Sequence, residues 1–384
     1  MNGRVIYSTR LNGEITAPRL PKYTCLAFKI AAVCSSPTII CGAEKSDAFY
    51  EAETLINDLG GRITEVNGNF KVDPVSNSEE GFLALFNEEL CRIKEYCDND
   101  EFFHDGDFYF NKKIDDDSLV AVILGVVFYS HKANVSLDFD PDDREFIDLA
   151  LGLIGRFGGV IELNDYRNYV CNSANKLIGG GTIILEGDWN SVAFGLMCGA
   201  LGNKVTVKGS GGAFSVQHGA QIIAPLKRMG VALEKSIDGT LRMTSGEELF
   251  STRIDALECP EYLPYMILIG ALSKGNIEIY NINDELTEDQ SARIINSVAE
   301  FAKLGFKFIE TGEGSFKVNG ATAFDGGVKL DCHDDYIIAT AMLLATICCK
   351  KSNSVVGYDA VEEKYPDFWQ VFQSIGGFSE IIVQ

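Results

Sequence analysis

Five times along the chain a run of apolar residues at helical spacing meets a glycine, and in most copies an extended segment follows. The copies read INDLGGRITEVNGNFKV (56–72), IGRFGGVIEL (154–163), LKRMGVALEKSIDGTLRM (226–243), FAKLGFKFIETGEGSFKV (301–318) and FQSIGG (372–377). The aligned glycines are Gly60, Gly158, Gly230, Gly305 and Gly376. The last four lie 72, 75 and 71 residues apart, and the first gap is 98. A period this long implies a duplicated supersecondary unit, and a broken period implies one damaged copy.

Each clear copy has the same parts. An amphipathic helix carries apolar residues such as Leu226 and Met229 at i, i+3 spacing. Glycine ends it, because the left-handed cap is cheap only without a Cβ. A strand follows, as at Val231-Ala232-Leu233 or Phe306-Lys307-Phe308, and a polar turn (Asn67-Gly68, Asp238-Gly239, 312–314) folds it into a second strand. Later copies are preceded by a longer apolar helix and a strand, as in 193–201 before 205–207 and 263–272 before 277–279. The composite is an α/β unit of roughly 70 residues that cannot bury its apolar face alone, so copies must stack around a shared centre.

Bulk properties narrow the partners. A hydrophobic content of 46% with 10% aromatics excludes disorder, and 384 residues suffice for two domains with full cores. A net charge of −22 argues against free nucleic acid or an anionic membrane as a partner. The opening MNGRVIYSTRLNGE lacks the apolar core of a signal peptide. The longest uncharged apolar run, 337–349, suits a buried helix rather than a membrane span. Eleven cysteines sit mostly in apolar segments, as at Cys34, Cys198 and Cys348, with no Cys-x-x-Cys or His-x-x-x-His spacing. They read as core thiols in a reducing cytoplasm, with neither a metal site nor a disulfide framework.

Several stretches together resemble the enolpyruvyl transferase family, and its 5-enolpyruvylshikimate-3-phosphate synthase branch more than its UDP-N-acetylglucosamine branch. GTIILEGDWNSVAFGLMCGAL (181–201) is similar to the family's Gly-Asp-x-Ser-Ser-Ala helix start. CPEYLPYMILIGALSKGNIEIYNI (259–282) is similar to its Pro-Asp-x-x-Pro helix, and AVEEKYPDFWQVFQSIGG (360–377) to its Lys-Ser-Tyr-Pro-x-Phe ending. LNGEITAPRLPKYTCLAFKIAAVC (11–34) and REFIDLALGLIGRFGGVIE (144–162) match the first loop and the third unit in outline. The resemblance implies an α/β (α+β) protein with a two-lobed inverse α/β barrel. Residues 1–16 with 186–384 would form a lobe of three full units. Residues 17–185 would form a lobe of two units plus a truncated one near 73–112. It implies a small-molecule ligand between closing lobes and no metal or organic cofactor. The family reaction moves an enolpyruvyl group from phosphoenolpyruvate to shikimate 3-phosphate. Two phosphorylated substrates side by side demand several fixed Lys and Arg donors, and proton transfer demands a carboxylate pair.

Taken position by position, the resemblance implies a site short of cations. At the family's Pro-Gly-Ser-Lys-Ser loop stands Pro18-Arg19-Leu20-Pro21-Lys22. Pro21 replaces the Lys, Lys22 lies one place along, and Leu26 replaces a following Arg. The loop and Arg that clamp phosphoenolpyruvate are missing from the short stretch near 73–112. Asp116, Asp117 and Ser118 stand where the family holds the shikimate phosphate with Ser-Ser-Gln, and Asp143 and Phe146 stand at a Ser and a Tyr that contact shikimate. Acids there repel a phosphate. Asp115 to Asp117 also read as a solvated loop capping a helix at Ser118, or as a cation-accepting site. Glu261 stands at the catalytic Asp and equally suits a helix N-terminus after Pro260. The second catalytic carboxylate falls within 288–293 in either of two registers. One puts Gln290 at the carboxylate and Arg293 at the family Arg; the other puts Asp289 at the carboxylate and Ala292 at the Arg. Tyr336 stands at the Arg of the Asp-His-Arg turn, aligned with Asp334-Asp335-Tyr336, and His333 reads as a loop or core histidine. Glu363 stands at the closing Lys, with Lys364 beside it.

Glu261 and Asp289 are thus the catalytic candidates. Lys22, Asp116, Asp117, Ser118, Asp143, Arg293, Tyr336, Glu363 and Lys364 are the substrate-contact positions. Three readings are open. One is a family member without transferase activity that binds a non-phosphorylated ligand or a protein partner. Another is a rewired transferase using Lys22, Arg293, Lys364, Glu261 and Asp289, with a partner chain supplying the missing unit. The last is a scaffold without ligand.

Overall fold

The computed structural model describes residues 3–93, 107–129, 132–172, 177–212, 215–237, 239–246, 249–273, 275–320 and 324–382. The chain divides into two compact units, a first made of 1–18 with 187–384 and a second made of 19–186. It opens in the first unit with β1 (Gly3–Ile6) and β2 (Asn12–Thr16). The second unit begins with α1 (Pro21–Val33), β3 (Thr38–Cys41), α2 (Asp47–Asp58), β4 (Arg62–Val66), β5 (Asn69–Asp73), α3 (Ser78–Leu85) and α4 (Asn87–Ile93). It continues with β6 (Phe108–Phe110), α5 (Asp116–Phe128), β7 (Ala133–Leu137), α6 (Arg144–Arg156), β8 (Val160–Asp165), β9 (Asn168–Asn172) and β10 (Thr182–Ile184). The first unit resumes with α7 (Trp189–Ala200), β11 (Lys204–Lys208), α8 (Ile223–Arg228), β12 (Val231–Lys235) and β13 (Leu241–Ser245). Next come β14 (Arg253–Asp255), α9 (Leu263–Ala271), β15 (Asn276–Tyr280), α10 (Glu288–Lys303), β16 (Lys307–Gly312) and β17 (Ser315–Asn319). The last elements are β18 (Lys329–Asp331), α11 (Tyr336–Ile347), β19 (Asn353–Val356), α12 (Asp359–Lys364), α13 (Phe368–Ser374) and β20 (Ser379–Ile382).

The class is mixed α/β, and each described sheet follows one plan. The first unit holds the orders β18-β19-β1-β20, β12-β13-β11-β2 and β14-β15-β17-β16; the second holds β10-β3-β5-β4 and β6-β7-β9-β8. In each, one parallel pair is followed by two antiparallel pairings, as in β14 with β15, β15 with β17, and β17 with β16. The five aligned glycines close α2, α6, α8, α10 and α13 and take φ values of +81°, +93°, +89°, +96° and +91°. Of the expected turns, Asp238 lies outside the described residues.

Two kinds of helix pack on these sheets. In α7, α9 and α11 nearly every residue is buried, so their apolar composition all round fits a core position. Burying Leu263, Met266, Ile267, Leu268 and Ile269 of α9 gives a gross transfer energy on the order of 10 kcal/mol, before chain entropy is charged against it. The approach is close: a Cβ on Gly199 of α7 would come 2.2 Å from the Met243 carbonyl oxygen of β13. Helices such as α6 and α10 instead bury one face and expose the other. Each unit has its own apolar core.

The short copy near 73–112 takes a distinct form. Among the described residues the second unit has two sheets and the first has three; residues 94–106 of that copy lie outside the description. Helices α3 and α4 pack there directly. Phe82 of α3 stacks on Phe128 of α5 at 4.7 Å. On α4, Glu89 accepts from Lys29 of α1 at 2.8 Å, with both side chains about five-sixths buried. Arg92 reaches Asp115 at 3.2 Å. Truncating one partner of such a pair strands the other charge in poor solvent. Glu89→Ala is expected to cost about 3 kcal/mol in urea unfolding, and Lys29→Met with Glu89→Leu together much less. Equal losses in the single and double variants would contradict the pairing.

Candidate functional site

In the first unit the N-terminal ends of α7, α9 and α11 meet, and each carries acidic or polar side chains of the chain itself. Asp188 caps α7, accepting from the Asn190 amide at 3.0 Å and from the Ser191 amide and hydroxyl at 3.2 and 2.9 Å. The Tyr262 hydroxyl, just before α9, donates to Asn190 Oδ1 at 2.5 Å and so links α9 to α7. Asp335 caps α11 by accepting from the Ile338 amide at 2.9 Å. Free helix ends of this kind carry unpaired N–H groups and a partial positive charge, which suit anions.

Arg293 of α10 ties two of these ends together. Its Nε donates to Asp335 Oδ2 at 2.8 Å, and its Nη1 donates to Glu261 Oε2. The other Glu261 oxygen accepts from Gln290 Nε2 at 2.7 Å. Burial alone would lower the Arg293 pKa; Asp335 and Glu261 outweigh it and raise the guanidinium above its usual value. The register of α10 follows from a capping box. Thr287 Oγ1 accepts from the Gln290 amide at 3.2 Å, and Gln290 Oε1 accepts from the Thr287 amide at 2.9 Å. Gln290 and Arg293 therefore both reach Glu261, while Asp289 is exposed.

Tyr336 begins α11 and is 5% exposed. Its hydroxyl pKa is pushed well up by burial and by neighbouring Tyr265 and Asp188. Glu363 and Lys364 are both exposed on α12. His333 is a turn residue: it and Asp334 take φ of +53° and +50°, and its Nε2 lies 3.7 Å from Glu300.

The second unit gathers the other positions. Lys22, in the first turn of α1 beside Pro21, lies 3.0 Å from Asp117 and 3.8 Å over the Phe146 ring. Asp116 is 8% exposed, and its carboxylate accepts the Asp142 and Asp143 amides at 3.2 and 2.8 Å. Asp143 caps α6 through the Phe146 amide at 2.9 Å. The expected cap forms, with Asp115 accepting the Ser118 amide at 3.0 Å, but the expected solvation is corrected at Asp116. The helix begins at Asp116, Asp115 is its cap, and Asp116 is buried because it satisfies two loop amides. Ser118 is fully buried, its hydroxyl lying 2.9 Å from Asp115 Oδ2 and 3.0 Å from the Glu89 carbonyl. Leu26 is buried at 7% exposure.

Asp335, Asp188, Asn190 and Tyr262 were not among the expected site residues. Asp188 had a visible signal, Asp-x-x-Ser ahead of an apolar run; the contact between Asp335 and Arg293 had none. The reading of the cysteines as core thiols is corrected at Cys91, which is exposed on the outer side of α4. Burial pushes the Cys34 and Cys171 thiols up to about 12. Among the described residues no group of three or more His, Cys, Asp or Glu is placed to hold a metal ion, and no helix is long and apolar enough to cross a membrane.

Comparison with solved structures identifies the architecture as that of the enolpyruvyl transferases, two-lobed inverse α/β proteins. An EPSP synthase from Acinetobacter baumannii superposes with a TM-score of 0.71 at 15% identity, covering all of both chains. The enolpyruvyl transferase NikO from Streptomyces tendae superposes with a TM-score of 0.61 at 14% identity, covering 100% of this chain and 99% of that one. The family model for EPSP synthase (3-phosphoshikimate 1-carboxyvinyltransferase) matches residues 145–372, and the chain belongs to that family. The 3-phosphoshikimate 1-carboxyvinyltransferase of Clostridium beijerinckii is 29% identical over 272 residues, which is 71% of this chain and 61% of that protein. That of Clostridium kluyveri is 26% identical over 275 residues, 71% of this chain and 62% of that protein. The chain thus spans about three-fifths of the length of the curated relatives it matches.

The caps have a pH signature. Burial alone would raise the Asp115 carboxyl; the Ser118 amide and hydroxyl and the Arg92 guanidinium outweigh it and hold the carboxyl below its usual range. A carboxyl depressed in the folded state stabilises above its unfolded value of about 3.9, and that stability is lost as pH falls through the folded value. Urea unfolding of wild type and Asp115→Asn from pH 7 to 2.5 is expected to show wild type ahead at neutral pH and the gap closing below about pH 4. A gap independent of pH would contradict the account.

Proposed function

We propose that this family member does not carry out enolpyruvyl transfer between phosphorylated substrates and instead binds a small non-phosphorylated ligand. The carrying observation is that Arg293, which stands at the family Arg in one of the two registers, is already held between Glu261 and Asp335. Lys22 is likewise paired with Asp117. Pro21, Leu26, Tyr336 and Glu363 stand where the resemblance implies cations. A phosphate approaching either cation would have to displace the carboxylates already paired with it. Each charge-assisted contact forgone is worth about 1.5–3 kcal/mol, so losing four removes several orders of magnitude in affinity. All ten described cysteines are free thiols, which supports the cytoplasm as the compartment.

A second reading, an active transferase, is favoured by the 29% identity to proteins named 3-phosphoshikimate 1-carboxyvinyltransferase and by the carboxylate kept at Glu261. Calorimetric titration with phosphoenolpyruvate and shikimate 3-phosphate separates the two. The expected result is no binding at micromolar concentrations. Micromolar affinity for either, or growth of a shikimate-pathway auxotroph supplied with this chain, would overturn the proposal in favour of the transferase.

A further inference from the structure

The cluster around Arg293 is of mixed charge and unevenly filled. One guanidinium faces two carboxylates, leaving one net negative charge, and the side chains of Arg293, Glu261 and Asp335 remain 16%, 26% and 21% exposed. Arg293 spends Nε on Asp335 and Nη1 on Glu261, so its Nη2 donors are unspent among the described residues. Glu261 and Asp335 each accept two hydrogen bonds, Glu261 from Gln290 and Arg293 and Asp335 from Ile338 and Arg293. A carboxylate has about four lone-pair sites, so each retains acceptor capacity. Tyr336 follows Asp335 in the chain, but its buried hydroxyl faces Ser191, Asp188 and Tyr265 rather than this cluster.

The geometry points to a zwitterionic amine as the ligand of this cluster: a small molecule with one carboxylate for Arg293 and ammonium groups for Glu261 and Asp335. A pure anion meets a net negative cluster and is repelled. A pure diamine leaves the guanidinium donors unused and adds a cation beside Arg293. A basic α-amino acid, with one carboxylate and two ammonium groups, matches both the signs and the net charge. This rests on the reading that the chain does not take phosphorylated anions.

The probes are L-lysine, cadaverine, L-glutamate and phosphoenolpyruvate, read by thermal shift and calorimetry on the full chain. L-Lysine is expected to raise the melting temperature and to bind, with cadaverine and L-glutamate at least about tenfold weaker. Asp335→Asn, which keeps a capping side chain, and Arg293→Met are each expected to weaken L-lysine by about tenfold or more. If Arg293→Met does not fold, Asp335→Asn and the probe series on wild type decide. No L-lysine binding, cadaverine binding as tightly as L-lysine, or an unchanged affinity in Asp335→Asn overturns the inference. Phosphoenolpyruvate binding would instead overturn the reading beneath it, so the two failures are distinguishable.

Discussion

The first unit is organised around helix ends that need negative partners. Its three most deeply buried helices, α7, α9 and α11, leave their first amides without intrahelical acceptors. They meet beside buried side chains, Tyr262, Tyr265 and Tyr336 among them. Asp188 and Asp335 accept those amides at α7 and α11, and Glu261 stands before α9. The carboxylates then need a cation, and Arg293 serves two of them. The second unit repeats the solution in simpler form, with Asp115 and Asp143 capping α5 and α6 and Lys22 against Asp117. In both units, positive potential that suits a bound anion is met by acids of the same chain.

That economy separates what holds the family architecture from what a helix end binds. The parallel-plus-hairpin sheets and wholly apolar helices depend on burial, which the sequence retains. Charge at the helix ends is a separate matter, because a cap can be a side chain or a ligand. Among the described residues the second unit has two sheets, and α3 and α4 pack there on α1 and α5 through Phe82, Phe128 and the Lys29–Glu89 pair.

Much of the fold was legible because its constraints leave residue-specific traces. A left-handed cap strongly favours glycine, and all five aligned glycines occupy such positions. The wholly buried helices announce themselves as apolar runs such as 337–347. Side-chain partners at the site were harder to read. One residue of slip rotates a helix by about 100°, so spacing alone left Asp289 and Gln290 as alternatives. The Thr-x-x-Gln capping box at Thr287 and Gln290 carried the missing information. The meeting of Asp335 with Arg293 depends on the paired left-handed turn at His333 and Asp334, and residues of those types adopt many other conformations. Asp116 resembled a surface acid because its partners, the Asp142 and Asp143 amides, are backbone groups from a different loop.

The central claim is that Glu261 and Asp335 occupy Arg293, and Asp335 the start of α11, in place of an external anion. Anion affinity before and after those charges are removed tests it most directly. In calorimetry with inorganic phosphate and phosphoenolpyruvate, wild type should show no binding, and the double variant Glu261→Gln with Asp335→Asn should acquire it. Equal affinity in the two proteins would contradict the account.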